Sequence, residues 1–260
     1  MKALPQSAPD WCFFKPGMDA RSYYARLKAI GYMGAELVDP VRWDAAEAAG
    51  LPIVAVASPG IQEGLGVAAH HATLLPQIRA SMEKAAARRI PRMIVFSGNR
   101  EGQGDDECLA NCITASRLLA HDAERLGVTL IFEMLNGTDH PGYAADRARF
   151  GFDLARAVDS PRFKVLYDIY HMHRMGEDVV SDILGNLPLI GHLHLAGSPR
   201  RDFPGTRQEI DYRRIVKEVV GAGYSGFWGQ EWVPAHDDPW SELEAAFMLF
   251  TRYAADAGRS

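Results

Sequence analysis

Four short apolar runs in this chain each end in a side chain that can bind a metal or carry a proton. They span residues 128–133, 165–168, 189–194 and 226–231, and they end at Glu133, Asp168, His194 and Glu231. Such short runs predict buried strands of a parallel sheet. A carboxylate there is costly to bury unless a cation or hydrogen bonds compensate it. Four strands that present polar groups at the same end are typical of the active-site face of a barrel.

Strand and helix patterns alternate about eight times along the chain. The other predicted strands cover residues 6–14, 33–38, 52–57 and 92–96, and the helices cover residues 19–30, 41–49, 73–89, 105–126, 144–158, 179–187, 212–220 and 240–255. Only the first strand is irregular, because Pro9 and Asp10 interrupt it. Alternation of this kind predicts a parallel sheet, and eight units predict its closure into a single (β/α)8 TIM barrel. The length of 260 residues fits one such domain, residues 1–260, since these barrels need about 250 residues.

Composition excludes several classes of partner. The formal net charge of −5 argues against nucleic acid, whose phosphates require clustered Lys and Arg. No run is apolar for the roughly 18 residues that span a membrane, and no signal peptide is evident at the N-terminus. We therefore expect a cytoplasmic protein that acts on a small molecule, with self-association left open. The three cysteines, Cys12, Cys108 and Cys112, are expected to be reduced thiols.

Three acids at neighbouring strand ends imply a cation. Glu133, Asp168 and Glu231 would repel one another if held close, unless protons or a positive ion were present. His192 and His194 are two residues apart on one strand and therefore point to the same face. Three carboxylates and an imidazole suit Mn²⁺ or Mg²⁺. An iron site with two histidines and one carboxylate is an alternative on composition.

Arginines follow the seventh strand directly. Arg200, Arg201 and Arg207 lie in the loop 196–209, just after His194. One or two of them could bind an anionic or polyhydroxyl substrate, because a guanidinium group matches such oxygens well.

The motifs at these four strand ends resemble those of the xylose isomerase-like TIM-barrel superfamily. They are Glu133-Met134-Leu135-Asn136, Tyr167-Asp168-Ile169-Tyr170-His171-Met172, Gly191-His192-Leu193-His194-Leu195-Ala196-Gly197 and Gly229-Gln230-Glu231-Trp232-Val233-Pro234. The resemblance covers nearly the whole chain. It is closest to the hydroxypyruvate isomerase family, and ketose 3-epimerases share the same framework.

The resemblance implies a role for each residue of the site. It implies one divalent ion, Mn²⁺ or Mg²⁺, held by Glu133, Asp168, His194 and Glu231, with the two glutamates also acting as the acid/base pair. It further implies that His171 contacts the substrate, as does Arg200 or Arg201.

The activity implied is isomerisation of a small hydroxy-carbonyl acid or sugar, with hydroxypyruvate to tartronate semialdehyde as the lead candidate. Epimerisation of a ketose at carbon 3 is the alternative on the same barrel. An abasic-site nuclease and a non-catalytic sugar-binding barrel are less favoured. A nuclease of this kind needs more ligands and a basic groove, which the negative net charge opposes. The roles of His70, His71, His173 and His192 are left open.

Overall fold

Residues 4–257 are described by a computed structural model, and their strands form the predicted closed parallel barrel in chain order. The strands are β1 (Gln6–Pro9), β2 (Gly34–Glu36), β3 (Ile53–Ala57), β4 (Arg92–Phe96), β5 (Thr129–Glu133), β6 (Phe163–Asp168), β7 (Ile190–Leu195) and β8 (Trp228–Gln230). The predicted fold class is therefore confirmed. Because all strands run in one direction, their carboxyl ends share one face of the barrel.

Helices follow the strands. They are α1 (Asp10–Phe13), α2 (Ala20–Ile30), α3 (Trp43–Ala48), α4 (Ala68–Ala87), α5 (Asp105–Leu126), α6 (Ala148–Val158), α7 (Ile169–Arg174), α8 (Val179–Gly185), α9 (Tyr212–Gly221) and α10 (Trp240–Ala257). Local sequence explains several boundaries. The Asp19 carboxylate accepts a hydrogen bond from the Ser22 N–H and caps α2, as such residues commonly do. Gly127 ends α5 with a left-handed φ of 73°, which glycine adopts without steric cost.

Some predicted boundaries were wrong. Strand β1 stops at Pro9, and residues 10–13 form the helical turn α1 instead of more strand. Helix α4 begins at Ala68, five residues before the predicted start, so His70 and His71 are helical and do not belong to the preceding loop. Helix α6 begins at Ala148 and not near residue 144.

The first of two compact units comprises the chain up to Val54, Asp178–Gly185, and the chain from Leu193 onward. It contains the strand order β2–β1–β8–β7, with Ser7 paired with both Gly34 and Gly229, and His194 paired with Gly229. Aromatic rings fill its interior. The largest fully buried side chains there are Phe13, Tyr23, Tyr24, Trp228, Trp232 and Phe250.

The second unit comprises Ala55–Glu177 and Asn186–His192. Strands β3, β4, β5 and β6 pair in that order, and the register places Phe96 beside Glu133, and Glu133 beside Leu166. Phe132, Tyr143, Phe163, Tyr167 and Tyr170 are fully buried in it. That residues 1–260 behave as one domain stays a prediction. No helix within residues 4–257 is both long enough and apolar enough to cross a bilayer.

Candidate active site

In the first unit, Glu231 is the residue around which polar groups gather. It follows β8 directly and is almost fully buried. Its Oε1 accepts a hydrogen bond of 2.8 Å from the Trp11 indole N–H. Its Oε2 accepts one of 2.7 Å from Arg201 Nη2 and lies 2.9 Å from His194 Nδ1. Both oxygens of this carboxylate are thus held in fixed directions.

The environment of Glu231 keeps it ionised. Burial alone would raise the pKa of this carboxyl, but His194 and Arg201 together lower it well below the ordinary value through their charge, and hydrogen bonds from His194 and Trp11 add to that. By contrast, burial and the charge of Glu231 raise the pKa of the neighbouring Cys12 thiol well above the ordinary value. Glu231 is therefore poised as an anion, whereas Cys12 stays a neutral thiol.

His194 lies between two carboxylates of the first unit. Its Nε2–H donates to Glu36 Oε2 over 3.1 Å, and its Nδ1 faces Glu231. Glu36 and His194 are both fully buried. Glu36 ends β2, so it repeats the pattern of a strand that ends in an acid.

In the second unit, Glu133 ends β5 and is almost fully buried. The Tyr143 hydroxyl donates to the Glu133 backbone carbonyl over 2.9 Å and accepts from the Ser97 N–H over 3.1 Å. This tyrosine therefore ties the end of β5 to the end of β4. Its buried position raises the pKa of the Tyr143 hydroxyl far above the ordinary value, so it acts as a neutral donor.

Asp168 begins a helix that the sequence analysis did not predict. Its Oδ1 accepts a hydrogen bond of 3.1 Å from the His171 N–H and thereby caps α7. His171 consequently lies on this helix, whereas the sequence analysis predicted no helix between residues 158 and 179. Its side chain is fully buried, and its Nε2 is 3.6 Å from Asp168 Oδ2.

A chain of hydrogen bonds orients the His171 ring. His171 Nδ1 accepts from the Asn136 backbone N–H over 3.2 Å, so the ring proton belongs on Nε2. The Asn136 side chain donates to Asp139 Oδ2 over 2.9 Å, and the Tyr170 hydroxyl donates to the same oxygen over 2.7 Å. His140 packs edge-on against the His171 ring at 5.4 Å between centroids.

Each unit contains buried side chains of the types that bind metals. Glu36, His194 and Glu231 belong to the first unit, and Glu133, Asp168 and His192 belong to the second. Four of them, Glu133, Asp168, His194 and Glu231, are the ligand set that the sequence resemblance implies.

Arg200 and Arg201 occupy different environments. The Arg200 side chain is 76% exposed and pairs with Asp202, with Nη2 to Oδ2 at 2.6 Å. The Arg201 side chain is 18% exposed, holds Glu231, and places its guanidinium carbon 5.0 Å from the centre of the Trp11 ring. Arg201 has φ = 54°, an unfavourable backbone conformation for a residue with a side chain. Of the two, Arg201 is the one that reaches the site.

The remaining histidines differ in setting. His70 Nε2 lies 2.8 Å from Glu101 Oε1, and His71 Nε2 lies 2.9 Å from the Leu65 carbonyl oxygen. Both contacts brace the start of α4. His173 lies on α7 and is half-buried. His192 is fully buried on β7.

Sequence reasoning missed two contributors to this arrangement. Glu36 was placed inside a strand without a role, although its run, Gly34-Ala35-Glu36, ends in an acid like three of the four that were singled out. Trp11 gave no signal, because the segment around it was assigned to an irregular strand.

Comparison with known families gives one match over most of the chain. The model of the family described as xylose isomerase-like TIM barrel matches residues 24–249. Hydroxypyruvate isomerase of Escherichia coli strain K12 is 31% identical over 51% of this chain and 51% of its own. A 2-oxo-tetronate isomerase of Cupriavidus necator is 29% identical over 60% of each chain. These two alignments thus span only about half to three fifths of those relatives. A putative hydroxypyruvate isomerase of Homo sapiens is 28% identical over 82% of this chain and 84% of its own.

Solved structures share the fold at low identity. A family 2 AP endonuclease from Brucella melitensis superposes with a TM-score of 0.83 at 21% identity, covering 96% of this chain and 99% of that one. A D-psicose 3-epimerase from Clostridium cellulolyticum H10, solved with D-tagatose, gives 0.75 at 15% identity, with 98% and 99% covered. At such identities the likeness concerns the barrel alone.

The Asn136–Asp139–Tyr170 network should be measurable as stability. We expect Tyr170→Phe to lower the free energy of unfolding by about 0.5–1.5 kcal/mol, the usual worth of one hydrogen bond. Asn136→Ala should cost about 1–3 kcal/mol, because it leaves buried groups without partners. Urea unfolding followed by circular dichroism measures both.

Tyr253→Phe is the matched control for this prediction. The Tyr253 ring packs against Phe250 at 5.8 Å between centroids, and Tyr253 is only half-buried on α10, outside the Asn136 network. Loss of the Tyr253 hydroxyl should leave stability unchanged. Equal stability of wild type, Tyr170→Phe and Asn136→Ala would show that the network does not brace the loop.

Proposed function

Because the chain belongs to the xylose isomerase-like TIM barrel family, we propose that it is a metal-dependent isomerase of a small hydroxy-carbonyl acid. The lead reaction is the conversion of hydroxypyruvate to tartronate semialdehyde. One observation carries the proposal. In the first unit, the buried Glu231 carboxylate lies 2.9 Å from the buried His194 Nδ1. We propose that these two residues hold the ion together with Glu133 and Asp168, the buried acids at the ends of β5 and β6.

The donor set fits a divalent cation. Three carboxylates that shared one buried site would repel one another, and a divalent ion would remove that cost. Hard oxygen donors with one imidazole nitrogen suit Mn²⁺ or Mg²⁺ better than an ion that prefers thiolates. Burial and the charge of Glu231 raise the pKa of the Cys12 thiol. Cys12 therefore stays protonated and is not suited to be a ligand. A bound ion would polarise the carbonyl and hydroxyl oxygens of the substrate.

The two glutamates are suited to move the proton. A glutamate on one side of the substrate removes the proton from the carbon that carries the hydroxyl group, which leaves an enediolate. Return of a proton to the neighbouring carbon completes isomerisation. Glu231 is kept ionised at neutral pH by His194 and Arg201, which qualifies it to accept a proton. The His171 ring, whose proton lies on Nε2 because Nδ1 accepts from Asn136, is suited to donate a hydrogen bond to a substrate oxygen.

Arg201 supports an acidic substrate. Its guanidinium is largely buried beside Glu231. A guanidinium can donate two parallel N–H hydrogen bonds to one carboxylate, whereas a neutral sugar has no carboxylate to accept them. The relatives from Escherichia coli and Cupriavidus necator are named as isomerases of hydroxypyruvate and of a 2-oxo-tetronate, and both names denote keto acids. This agreement favours a small keto acid.

Epimerisation of a ketose remains the second candidate. The D-psicose 3-epimerase has the same fold, and the chemistry differs only in where the proton returns. If it returns to the opposite face of the same carbon, the product is an epimer. Glu133 and Glu231 come from different strands of the barrel, an arrangement that serves either outcome.

The metal requirement gives the first functional test. We expect elemental analysis of the purified protein to find about one divalent ion per chain, and chelation to abolish turnover of hydroxypyruvate. His194→Ala should weaken Mn²⁺ binding at least as much as the roughly 10- to 100-fold loss seen when supporting groups are changed. Full turnover by the metal-free protein would refute metal dependence.

The acid/base pair gives the second functional test. Glu133→Gln and Glu231→Gln each keep an oxygen near the ion but remove the base. Turnover should fall by about 100- to 10,000-fold, the usual loss of general-base catalysis, with the thermal unfolding curve still cooperative. Asp10→Asn is the control, since Asp10 is a buried acid after β1 whose carboxylate accepts hydrogen bonds from Tyr24 and Arg42. If Glu231→Gln turned over like Asp10→Asn, Glu231 would not be a base.

Substrate choice gives the third functional test. We expect kcat/KM for hydroxypyruvate to exceed that for fructose, tagatose and psicose. Arg201→Ala should raise KM for the keto acid strongly, while Arg200→Ala, which changes an exposed side chain, should have a small effect. A larger effect of Arg200→Ala would move the carboxylate contact to that residue. Higher kcat/KM for the neutral ketoses, with both variants near wild type, would replace the isomerase proposal with the epimerase.

A further inference from the structure

The proposed reaction gives no role to Glu36, although this acid contacts the proposed ligand His194. Glu36 is fully buried at the end of β2. We propose that Glu36 is a positioning residue that holds the His194 ring so that Nδ1 is the nitrogen given to the metal. The inference rests on the proposed metal site and adds to it a fourth carboxylate, which binds the histidine instead of the ion.

The argument begins with the two nitrogens of one ring. His194 Nε2 lies 3.1 Å from Glu36 Oε2, a hydrogen-bond distance, and Nδ1 lies 2.9 Å from Glu231 Oε2. An imidazole that donates its N–H to a carboxylate at one nitrogen coordinates through the other. Because Glu36 accepts from Nε2–H, Nδ1 is the nitrogen that would bind the ion, which would take the place of the proton that Nδ1 shares with Glu231. This assigns different tasks to two acids that touch the same ring.

The neighbouring strands leave room for this bond. In the first unit, β1 and β8 lie between β2 and β7, and the inward positions that separate Glu36 from His194 include Ser7 and Gly229. A Cβ atom at residue 229 would lie 2.5 Å from His194 Cδ2 and 2.6 Å from Glu36 Oε1. Gly229 does not have a positive φ, so its backbone conformation does not require glycine. The space occupied by the Glu36–His194 pair does require a residue without a side chain.

Burial makes the bond consequential. A carboxylate without access to water must be compensated by charge or hydrogen bonds, and His194 provides such a bond to Glu36 Oε2. In return, the charge of Glu36 fixes the direction of the ring and increases the basicity of the opposite nitrogen. Loss of Glu36 should therefore weaken metal binding even though it removes no ligand.

Mn²⁺ affinity measured by calorimetry is the primary test. In Glu36→Leu and in Gly229→Ala, we expect the Kd for Mn²⁺ to rise by roughly 10- to 100-fold, as for other changes in groups that support a metal ligand. Glu36→Gln should lose less, because an amide oxygen still accepts from Nε2–H. Asp10→Asn, which removes a buried charge that does not touch His194, should bind as wild type does.

Nitrogen NMR separates positioning from a general packing defect. Protein labelled with ¹⁵N-histidine and loaded with Mg²⁺ should show the His194 proton on Nε2, with the signal assigned from its absence in His194→Asn. Glu36→Leu should lose this signature, and Glu36→Gln should largely keep it. Thermal unfolding of each variant checks folding. If Glu36→Leu does not fold, the Gly229→Ala and Glu36→Gln measurements decide the question.

The outcomes are distinguishable. If wild type binds no Mn²⁺, the proposed function fails and this inference fails with it. If wild type binds Mn²⁺ and the folded Glu36 and Gly229 variants bind it equally well, only the inference fails. If wild type holds two ions per chain and Glu36→Leu holds one, Glu36 is itself a ligand, together with His192 and His194, and the positioning role is refuted.

Discussion

The ion pair between His194 and Glu231 is the interaction on which the candidate site depends. Glu231 is buried, and burial alone would push its pKa upward and favour the neutral acid. His194 and Arg201 reverse that tendency and keep the carboxylate charged. Without this compensation, the residue that follows β8 would be a neutral acid, which is a poor metal ligand and a poor base. The position of the cationic groups therefore decides what the acid can do.

The two compact units contribute different kinds of order. In the first, charge organises the site, since one imidazole and one guanidinium face Glu231 and a second acid faces the imidazole. In the second, hydrogen bonds between neutral groups organise the site. The Asn136 backbone N–H orients the His171 ring, and the Tyr143 hydroxyl holds the end of β5. Both units contribute proposed metal ligands, since His194 and Glu231 belong to the first and Glu133 and Asp168 to the second. Changes in the Asn136 network of the second unit should act on the substrate contact proposed for His171.

The sequence predicted the barrel and the strand ends because both depend on local patterns. Apolar runs of four to six residues that end in an acid or a histidine can be recognised one at a time, and eight alternating units limit the fold to few choices. Helix α7 could not be recognised, since it begins within the motif that follows Asp168 and is capped by that same side chain. The difference between Arg200 and Arg201 was also out of reach. It depends on which of two adjacent side chains turns toward Glu231, and the positive φ of Arg201 is not encoded in a recognisable turn motif.

Glu36 shows why a pattern can be visible and still not be interpreted. Its strand has only three residues, Gly34–Glu36, too few for the apolar run to stand out. Its significance also comes from an absence, because the pair it forms with His194 fits only where residue 229 has no side chain. A glycine in a strand is usually taken as a weakness of the sheet. In this barrel the glycine makes room for a buried hydrogen bond between Glu36 and His194, so a residue without a side chain determines how a histidine presents its nitrogen.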